Sequence, residues 1–389
     1  MSRHLNTFLV SLIFAIAVIA TFALGAHQSV RSDQRQTEHP DRHHKHRELW
    51  VTHQRDSTIS VLSFPEGKLL KQFSLPGGTR PHITTFHSGA YAYISGMGNG
   101  TVSIVDAKSR QLVQTLTFAP ALAHQGKVSP DGTTMLVSVV STRTLYKVAV
   151  DEANQSWTPV GSVEFPVGKP PVCTVFSADS QRAYVSTMMD GIVIVDVPSM
   201  KILGTLPTDG FIACGMIKPD ADADHAVVAS AGHGGHIYTL DMENDTLEDR
   251  GTLGAMSWHS FNMTPDEALG FGTSPNSDEV VVIDLTTDPV TNLGTIVLQP
   301  LPGTGNNQPD AVGGGEPLVN GILPVTLRAA GQLALVKTVT GRIKRFIELA
   351  PPSPPGTFNP MNCNDCAVHG VTVRRTVVPR RVRSQSRLE

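Results

Sequence analysis

Short runs of alternating apolar and polar residues fill the chain after its first fifty residues. Two clear examples are Ala90-Tyr-Ala-Tyr-Ile-Ser followed by Gly100-Thr-Val-Ser-Ile-Val-Asp, and Arg182-Ala-Tyr-Val-Ser-Thr followed by Gly191-Ile-Val-Ile-Val-Asp. A period of two with Gly and Asp at the ends of the runs predicts β-strands joined by tight turns. No stretch after the N-terminal region has the 3.6-residue period of an amphipathic helix.

The paired runs recur along the chain. Their spacing is roughly 41 to 49 residues except before the last copy, which fits blades of four antiparallel strands. Further copies begin near Glu48, Thr133, His225, Leu269 and Gln332. Seven copies predict an all-β fold, a seven-bladed β-propeller.

The two ends of the repeat region complement each other. The first copy, at Glu48, has no inner strand before it, whereas an extra apolar strand, His369-Gly-Val-Thr-Val-Arg, follows the last copy. We therefore predict that the C-terminal strand completes the first blade, which closes the ring and protects its edges.

These patterns divide the chain into four parts. Residues 1–26 contain Arg3, an apolar run and then small residues, the order of a signal peptide, with an uncleaved N-terminal anchor as the alternative. Residues 27–47 are typical of a flexible His-rich linker, residues 48–378 form the predicted propeller, and residues 379–389 a disordered basic tail. We expect a secreted or periplasmic protein that meets a membrane only through an uncleaved anchor.

Each predicted inner strand begins with a residue that can hold a ligand, and in a closed ring these residues meet at one mouth of the central channel. In ring order they are His369, His82, His124, Cys173, Cys214, His259 and Asn320. Neutral imidazoles bind borderline metals, and thiolates favour copper(I) or zinc. The three histidines, His259 and the two cysteines are therefore candidate metal ligands, with copper as the expected cofactor and zinc as the alternative, and Asn320 is a further channel residue.

Other candidates should lie at the same face. Turns between the second and third strands carry His53, Met97, Met188, Met189 and His233, and the pair Cys363 and Cys366 precedes His369. In an exported protein, Cys173 with Cys214, and Cys363 with Cys366, could instead form disulfides. A histidine at this position can also serve only to hydrogen-bond a neighbouring loop. Two Pro-rich insertions, residues 300–317 and 351–365, lead into the ring and could form a lid.

Composition narrows the classes of partner. The chain has 389 residues, a net charge of -3, few aromatic residues and many Gly and Pro residues. The small net charge argues against a nucleic-acid partner, so we expect a monomer with a small-molecule or protein ligand at the channel mouth. No nucleophile elbow, phosphate-binding glycine loop or zinc-protease helix is present.

The repeat resembles the YVTN family of seven-bladed propellers, within the WD40-like and cytochrome d1-like propeller superfamily. The similar features are Pro81-His82, Ser129-Pro-Asp-Gly132, Val193-Ile-Val-Asp196 and Val281-Val-Ile-Asp284, whereas the pairs typical of WD40 repeats are missing. The resemblance implies the fold, not an activity. The histidine ring is similar to that of copper propellers such as nitrous oxide reductase and methanethiol oxidase, without their longer motifs.

Three functions follow as hypotheses from these patterns. The first is an exported metal-binding propeller, with copper and an oxidoreductase activity. The second is a non-catalytic interaction module at the cell surface or in the periplasm. The third is a lactonase-type hydrolase, for which the ring offers only Asn320 and the nearby Glu316 as ligands.

Overall fold

The computed structural model describes residues 47–118, 120–212, 215–231, 235–253, 259–273, 278–298, 309–310, 318–353 and 366–375. All regular elements in these ranges are β-strands, numbered β1 to β28 in chain order. They form seven four-stranded antiparallel sheets arranged as the blades of a propeller. The predicted all-β, seven-bladed fold is therefore confirmed.

The first four blades follow one plan, with the strands ordered from the channel outward. Blade 1 contains β28 (Val371–Arg375), β1 (Arg47–His53), β2 (Thr58–Ser63) and β3 (Leu69–Ser74). Blade 2 contains β4 (Pro81–Phe86), β5 (Tyr91–Gly96), β6 (Thr101–Asp106) and β7 (Gln111–Thr117). Blade 3 contains β8 (Ala123–Val128), β9 (Thr134–Val139), β10 (Thr144–Asp151) and β11 (Ser156–Glu164). Blade 4 contains β12 (Pro171–Phe176), β13 (Arg182–Thr187), β14 (Ile192–Asp196) and β15 (Lys201–Leu206).

The last three blades have shorter inner strands. Blade 5 contains β16 (Met216–Ile217), β17 (His225–Ala229), β18 (His236–Asp241) and β19 (Thr246–Thr252). Blade 6 contains β20 (Ser260–Met263), β21 (Leu269–Thr273), β22 (Glu279–Asp284) and β23 (Thr291–Val297). Blade 7 contains β24 (Pro309–Asp310), β25 (Ile322–Leu327), β26 (Gln332–Lys337) and β27 (Ile343–Glu348).

The ring closes as the sequence predicts. The C-terminal strand β28 pairs with β1 in a register that runs from Arg47 opposite Arg375 to Val51 opposite Val371. One blade is thus built from both ends of the repeat region, and β28 covers the inner edge of β1.

Blade 7 differs from the sequence-based prediction. Its inner strand is the two-residue β24, which lies inside the segment that we expected to be an insertion, and Gln332 begins the third strand instead of the second. Asn320 therefore lies in the turn before the second strand β25, and its side chain accepts a hydrogen bond from Arg47. Nearby, Leu318 N bonds the carbonyl of Met263, the last residue of β20. Asn320 is at the opposite face from the channel mouth, so its assignment to the ring is wrong.

Neighbouring blades pack through apolar residues of their inner three strands, while the outer strands are mostly exposed. A buried tyrosine in the second strand repeatedly reaches an acidic residue in the next blade. Tyr93 donates to Glu152 Oε1 at 2.7 Å and accepts from Trp157 Nε1 at 3.2 Å, and Tyr184 donates to Asp245 Oδ1 at 2.5 Å. These bonds link blade 2 to blade 3 and blade 4 to blade 5.

The N-terminal leader and linker up to residue 46, and the basic tail, lie outside the described residues, so their assignments remain predictions. Within the described ranges we find no helix with the length and apolar character needed to cross a membrane.

Candidate functional site

A repeated hydrogen bond positions one residue at the start of four of the inner strands, at the channel mouth. A Ser or Thr hydroxyl in the second strand of one blade donates to the backbone carbonyl of this residue in the next blade. The bonds are Thr52 to His82 (2.9 Å), Ser95 to His124 (2.6 Å), Ser138 to Val172 (2.5 Å) and Thr326 to His369. His369, His82 and His124 are therefore equivalent residues of three consecutive blades.

The three imidazoles form one buried cluster. The side-chain ring centroids of His82 and His369 are 4.2 Å apart, and those of His82 and His124 are 4.3 Å apart. His82 is 5% exposed, His124 8% and His369 0%. The structure thus brings together the three histidines that the sequence places in consecutive blades.

Gly370 allows the close approach of His82 to the C-terminal strand. A Cβ atom at this position would lie 2.4 Å from the backbone oxygen of His82. Glycine is therefore required beside His369, because any side chain would push the first and second blades apart.

A chain of hydrogen bonds runs through this cluster. Gln54 Nε2 donates to His82 Nδ1 at 2.7 Å, and the Nε2 atoms of His82 and His124 lie 3.0 Å apart. On the other side of its ring, His124 Nδ1 lies 3.8 Å from Cys173 Sγ. The Nδ1 atoms of His82 and His124 therefore contact different neighbours, Gln54 and Cys173, and the Nε2 atoms of the two histidines face each other.

Cys173 lies one position later in its blade than the ring histidines. The hydroxyl of Ser138 bonds the carbonyl of Val172, so Val172 occupies the position equivalent to His124. The pairing of β12 shifts register between Pro171 and Thr174, which places two residues opposite one. Cys173 nevertheless reaches the cluster, because it lies against the Nδ1 side of His124.

His259 lies at the edge of the cluster. It is half-buried just before β20, and its ring makes an edge-to-face contact with His369 at a centroid distance of 5.9 Å. It therefore extends the line of imidazoles around the mouth on the side of His369.

The surroundings of His82 favour its neutral imidazole. Burial lowers the pKa of His82 well below its usual value, and the nearby His369, His124, His259 and Arg328 lower it further. A neutral imidazole keeps a lone pair on one ring nitrogen, which is the form that binds metals. Arg328, which is fully buried, contributes a positive charge on the side of blade 7.

The candidates in the turns occupy different environments. His53 is fully buried inside blade 1, where its Nε2 atom bonds Ser60 Oγ at 2.9 Å, and burial lowers its pKa to about 4. Met97 N and Met188 N bond the backbone just before β4 and β12, so both turns lie at the mouth. Met97 is half-buried, and Met188 and Met189 are exposed. His53 is therefore a blade residue, whereas the methionines line the rim.

The cysteines lie in different parts of the fold. Cys173 is buried beside His124, and its alternative disulfide partner Cys214 is outside the described residues, so that pairing stays a prediction. Cys366, just before His369, is disulfide-bonded. Cys214, Cys363 and His233 lie outside the described residues.

Two residues of the cluster were not found from the sequence. Gln54 follows the end of β1 and Arg328 follows the end of β25, so neither begins an inner strand. The Ser or Thr near the end of each second strand, as in Tyr93-Ile-Ser95, is the sequence signal that marks the ring positions.

The geometry supplies a pair of converging imidazole nitrogens, with a thiol beside one of the two rings. Among the described residues, no three or more His, Cys, Asp or Glu side chains are arranged so that they could hold a metal ion together. A metal at this mouth would therefore begin with two ligands, His82 and His124.

Comparison with known proteins identifies the fold alone. No protein-family profile matches the chain, so membership of the YVTN family is not shown, and no curated protein matches it in sequence. Kuenenia stuttgartiensis hydrazine synthase is similar in fold, with a TM-score of 0.59, 17% identity, and coverage of 79% of this chain and 97% of that chain. A functionally unknown protein from Desulfotomaculum acetoxidans is also similar, with a TM-score of 0.61, 12% identity, and coverage of 84% of this chain and 99% of that chain. The dihydro-heme d1 dehydrogenase NirN has a TM-score of 0.51, 16% identity, and coverage of 82% of this chain and 76% of that chain.

Proposed function

We propose that this propeller binds copper at the channel mouth through His82 and His124 and that it is an exported oxidoreductase of the YVTN type. The observation that carries the proposal is the 3.0 Å separation of the two Nε2 atoms. Zinc is the alternative metal for the same pair.

The separation suits two ligands of one ion. With metal–nitrogen bonds of about 2.0–2.1 Å, two nitrogens 3.0 Å apart subtend an angle of roughly 95° at the metal. This is close to the right angle between neighbouring ligands in a tetragonal copper(II) site. A tetrahedral zinc site would need the nitrogens to separate by a few tenths of an ångström, on the order of what a small side-chain rotation allows.

The remaining groups of the cluster fit outer roles. Gln54 and Cys173 contact the Nδ1 atoms of the two ligands, the place where metal-binding histidines usually have a hydrogen-bond partner. The ring of His369 lies against that of His82 with the planes tilted by 40°, and it would supply a third ligand by turning. Among the described residues, the thiol of Cys173 contacts one of the two ligands and is placed for electron exchange with the ion.

Other features support export. Cys366 is disulfide-bonded, and disulfides persist mainly in oxidising compartments.

One of the propellers similar in fold is named as a dehydrogenase, which agrees with a redox role for the fold without transferring a substrate.

The test is metal analysis of the protein purified from its own compartment, together with copper and zinc titration of the stripped protein. We expect about one ion per chain in the wild type, from the single pair of converging nitrogens. His82→Ala and His124→Ala should each lose it. His87→Ala is the matched control, because His87 is exposed beyond the far end of β4 and should leave binding unchanged.

Two outcomes contradict the proposal. A wild-type protein that holds no metal as isolated and takes up neither copper nor zinc would exclude a metal function at this mouth. Retention of the metal in both alanine variants would move the site elsewhere.

A non-catalytic interaction module is the second candidate, and one observation favours it. The imidazoles of His82, His124 and His369 are almost completely buried and contact one another, as expected for groups that fill the channel. A metal-free wild type whose alanine variants lose stability instead of a ligand would support this role. The lactonase hypothesis loses Asn320, which lies at the opposite face.

A further inference from the structure

The hydrogen-bond chain through the cluster has a direction that the side-chain chemistry imposes. The amide nitrogen of Gln54 can only donate, so His82 Nδ1 accepts its bond and a neutral His82 carries its proton on Nε2. That proton faces His124 Nε2 at 3.0 Å, which must then accept. A neutral His124 consequently carries its own proton on Nδ1, facing Cys173 Sγ at 3.8 Å.

This arrangement prepares the two histidines unequally for a metal. His124 already has a lone pair on Nε2, the atom that would bind the ion. His82 has a proton on the corresponding atom, so a metal can bind there only after this proton moves to Nδ1. The Nδ1–H group would then face the Gln54 amide nitrogen, and two donors cannot bond each other.

The side chain of Gln54 offers a simple solution. It is 1% exposed, and its Oε1 atom accepts no hydrogen bond among the described residues. The amide oxygen and nitrogen have nearly the same size, so rotation of the amide by half a turn fits the same space and presents Oε1 to His82 Nδ1. Among the described residues, the one side-chain bond that this rotation exchanges is that to His82.

We infer that Gln54 is a positioning residue that sets the tautomer of His82, and that rotation of its amide accompanies metal binding at the His82–His124 pair. The inference rests on the proposed metal site and adds the residue that controls whether His82 can bind the ion. In the metal-free protein the amide holds His82 in the tautomer that cannot bind, and in the loaded protein it holds the tautomer that can.

Two variants of Gln54 separate its two bonding modes, donation to His82 Nδ1 and acceptance from it. Gln54→Glu has nearly the same shape and can only accept, so it should hold the His82 proton on Nδ1 and leave the Nε2 lone pair toward the metal. Gln54→Leu removes both bonding modes and leaves a metal-bound His82 without a partner for its Nδ1–H group. Gln114→Glu makes the same chemical change on the outer strand β7, away from the cluster, and serves as the control.

The first measurement needs no metal. Nitrogen NMR of ¹⁵N-histidine-labelled protein, with His82 assigned from the His82→Ala variant, reports which ring nitrogen is protonated. We expect Nε2 in the wild type and in Gln114→Glu, and Nδ1 in Gln54→Glu. A wild-type His82 protonated on Nδ1, or a Gln54→Glu variant unchanged from the wild type, would overturn the inference.

The second measurement is the affinity for copper(II) by chelator competition, with thermal unfolding to show that each variant folds. Loss of an outer partner typically changes metal affinity by about 10–100-fold, so Gln54→Leu should bind more weakly by that factor and Gln54→Glu more tightly than the wild type. Equal affinities of the wild type and both Gln54 variants would refute the role of the amide. A wild type that binds no copper or zinc would refute the proposed function, while the NMR result would still decide the tautomer.

Discussion

Removing the charge of Glu48 should weaken the closure of the propeller ring. Glu48 Oε2 accepts hydrogen bonds from Arg374 Nη1 at 2.9 Å and from Trp50 Nε1 at 3.1 Å, and Glu48 Oε1 accepts one from Arg110 Nη2 at 2.5 Å. Arg374 belongs to the C-terminal strand β28, and Arg110 comes from blade 2. One carboxylate thus joins the closing strand, the first blade and the second.

The expected loss follows from the burial of the pair. The side chains of Glu48 and Arg374 are each 10% exposed. Breaking a buried ion pair from one side typically costs about 3–5 kcal/mol, because the other charge is left uncompensated. Arg374 also donates to the carbonyls of Gly89 and Ala107, which still hold its guanidinium. We therefore expect Glu48→Gln to lower the free energy of unfolding by about 3 kcal/mol, the lower end of that range.

The assay is urea unfolding followed by tryptophan fluorescence, with Trp50 in direct contact with the altered side chain. Glu164→Gln is the matched control, because Glu164 also forms a 2.5 Å ion pair, with Arg143, but the two side chains are 66% and 37% exposed. Exposed pairs contribute about 0–1 kcal/mol. Equal losses in the two variants would show that Glu48 does not hold the ring closed.

Three further predictions concern single residues. Burial lowers the pKa of His53 to about 4, so below pH 6.5 the unfolded chain binds a proton that the folded protein does not. The free energy of unfolding should therefore fall by up to about 3 kcal/mol as the pH drops from 6.5 to 4. His53→Gln should flatten this part of the stability–pH curve, and an unchanged slope would contradict the assignment. Tyr93→Phe should lower the free energy of unfolding by about 1–3 kcal/mol, since it leaves the buried Trp157 Nε1 without its acceptor, and a change no larger than that of an exposed substitution would refute this lock. Gly370→Ala should destabilise the fold and shift the NMR signals of His82, whose carbonyl the new Cβ would meet at 2.4 Å; unperturbed His82 signals would contradict the close approach.

The sequence predicts the architecture well because each blade repeats the same physical solution. In each alternating strand the apolar side chains point to the neighbouring blades. The spacing of the repeats along the chain then sets the number of blades. The strand after His369 has no blade of its own, and the blade that begins at Glu48 has no inner strand. We therefore expect the C-terminal strand to pair with the first blade, and the register of β28 and β1 confirms this.

The sequence-based prediction for blade 7 is wrong because its inner strand β24 is too short to show the alternation of apolar and polar residues. Pro309 and Asp310 form a two-residue strand without alternation, whereas Asn320-Gly-Ile-Leu has the appearance of an inner strand but is the turn and the start of the second strand. A period of two cannot distinguish these positions when the preceding strand is so short.

The site itself was predicted in part. The contact of His369, His82 and His124 follows from ring closure, which the sequence predicts. The offset of Cys173 lies in the sequence itself, because Val172 holds the position of His82 and His124, and β4 has the same register shift as β12. Gln54 reaches His82 from the end of another blade's strand, and such a contact depends on side-chain direction in the folded ring.

The closure of the ring and the geometry of the histidine cluster depend on the same atoms. Thr52 Oγ1 accepts a hydrogen bond from Gly370 N at 2.8 Å and donates one to His82 O at 2.9 Å, so one hydroxyl links the closing strand to the first residue of blade 2. His82 and His124 come from blades that are continuous in the chain, whereas His369 is delivered by β28 alone. Weakening the closure should therefore displace His369 first and leave the His82–His124 pair in place. If Glu48→Gln keeps its copper, the pair suffices as the metal site, and if it loses copper while remaining folded, His369 is the third ligand.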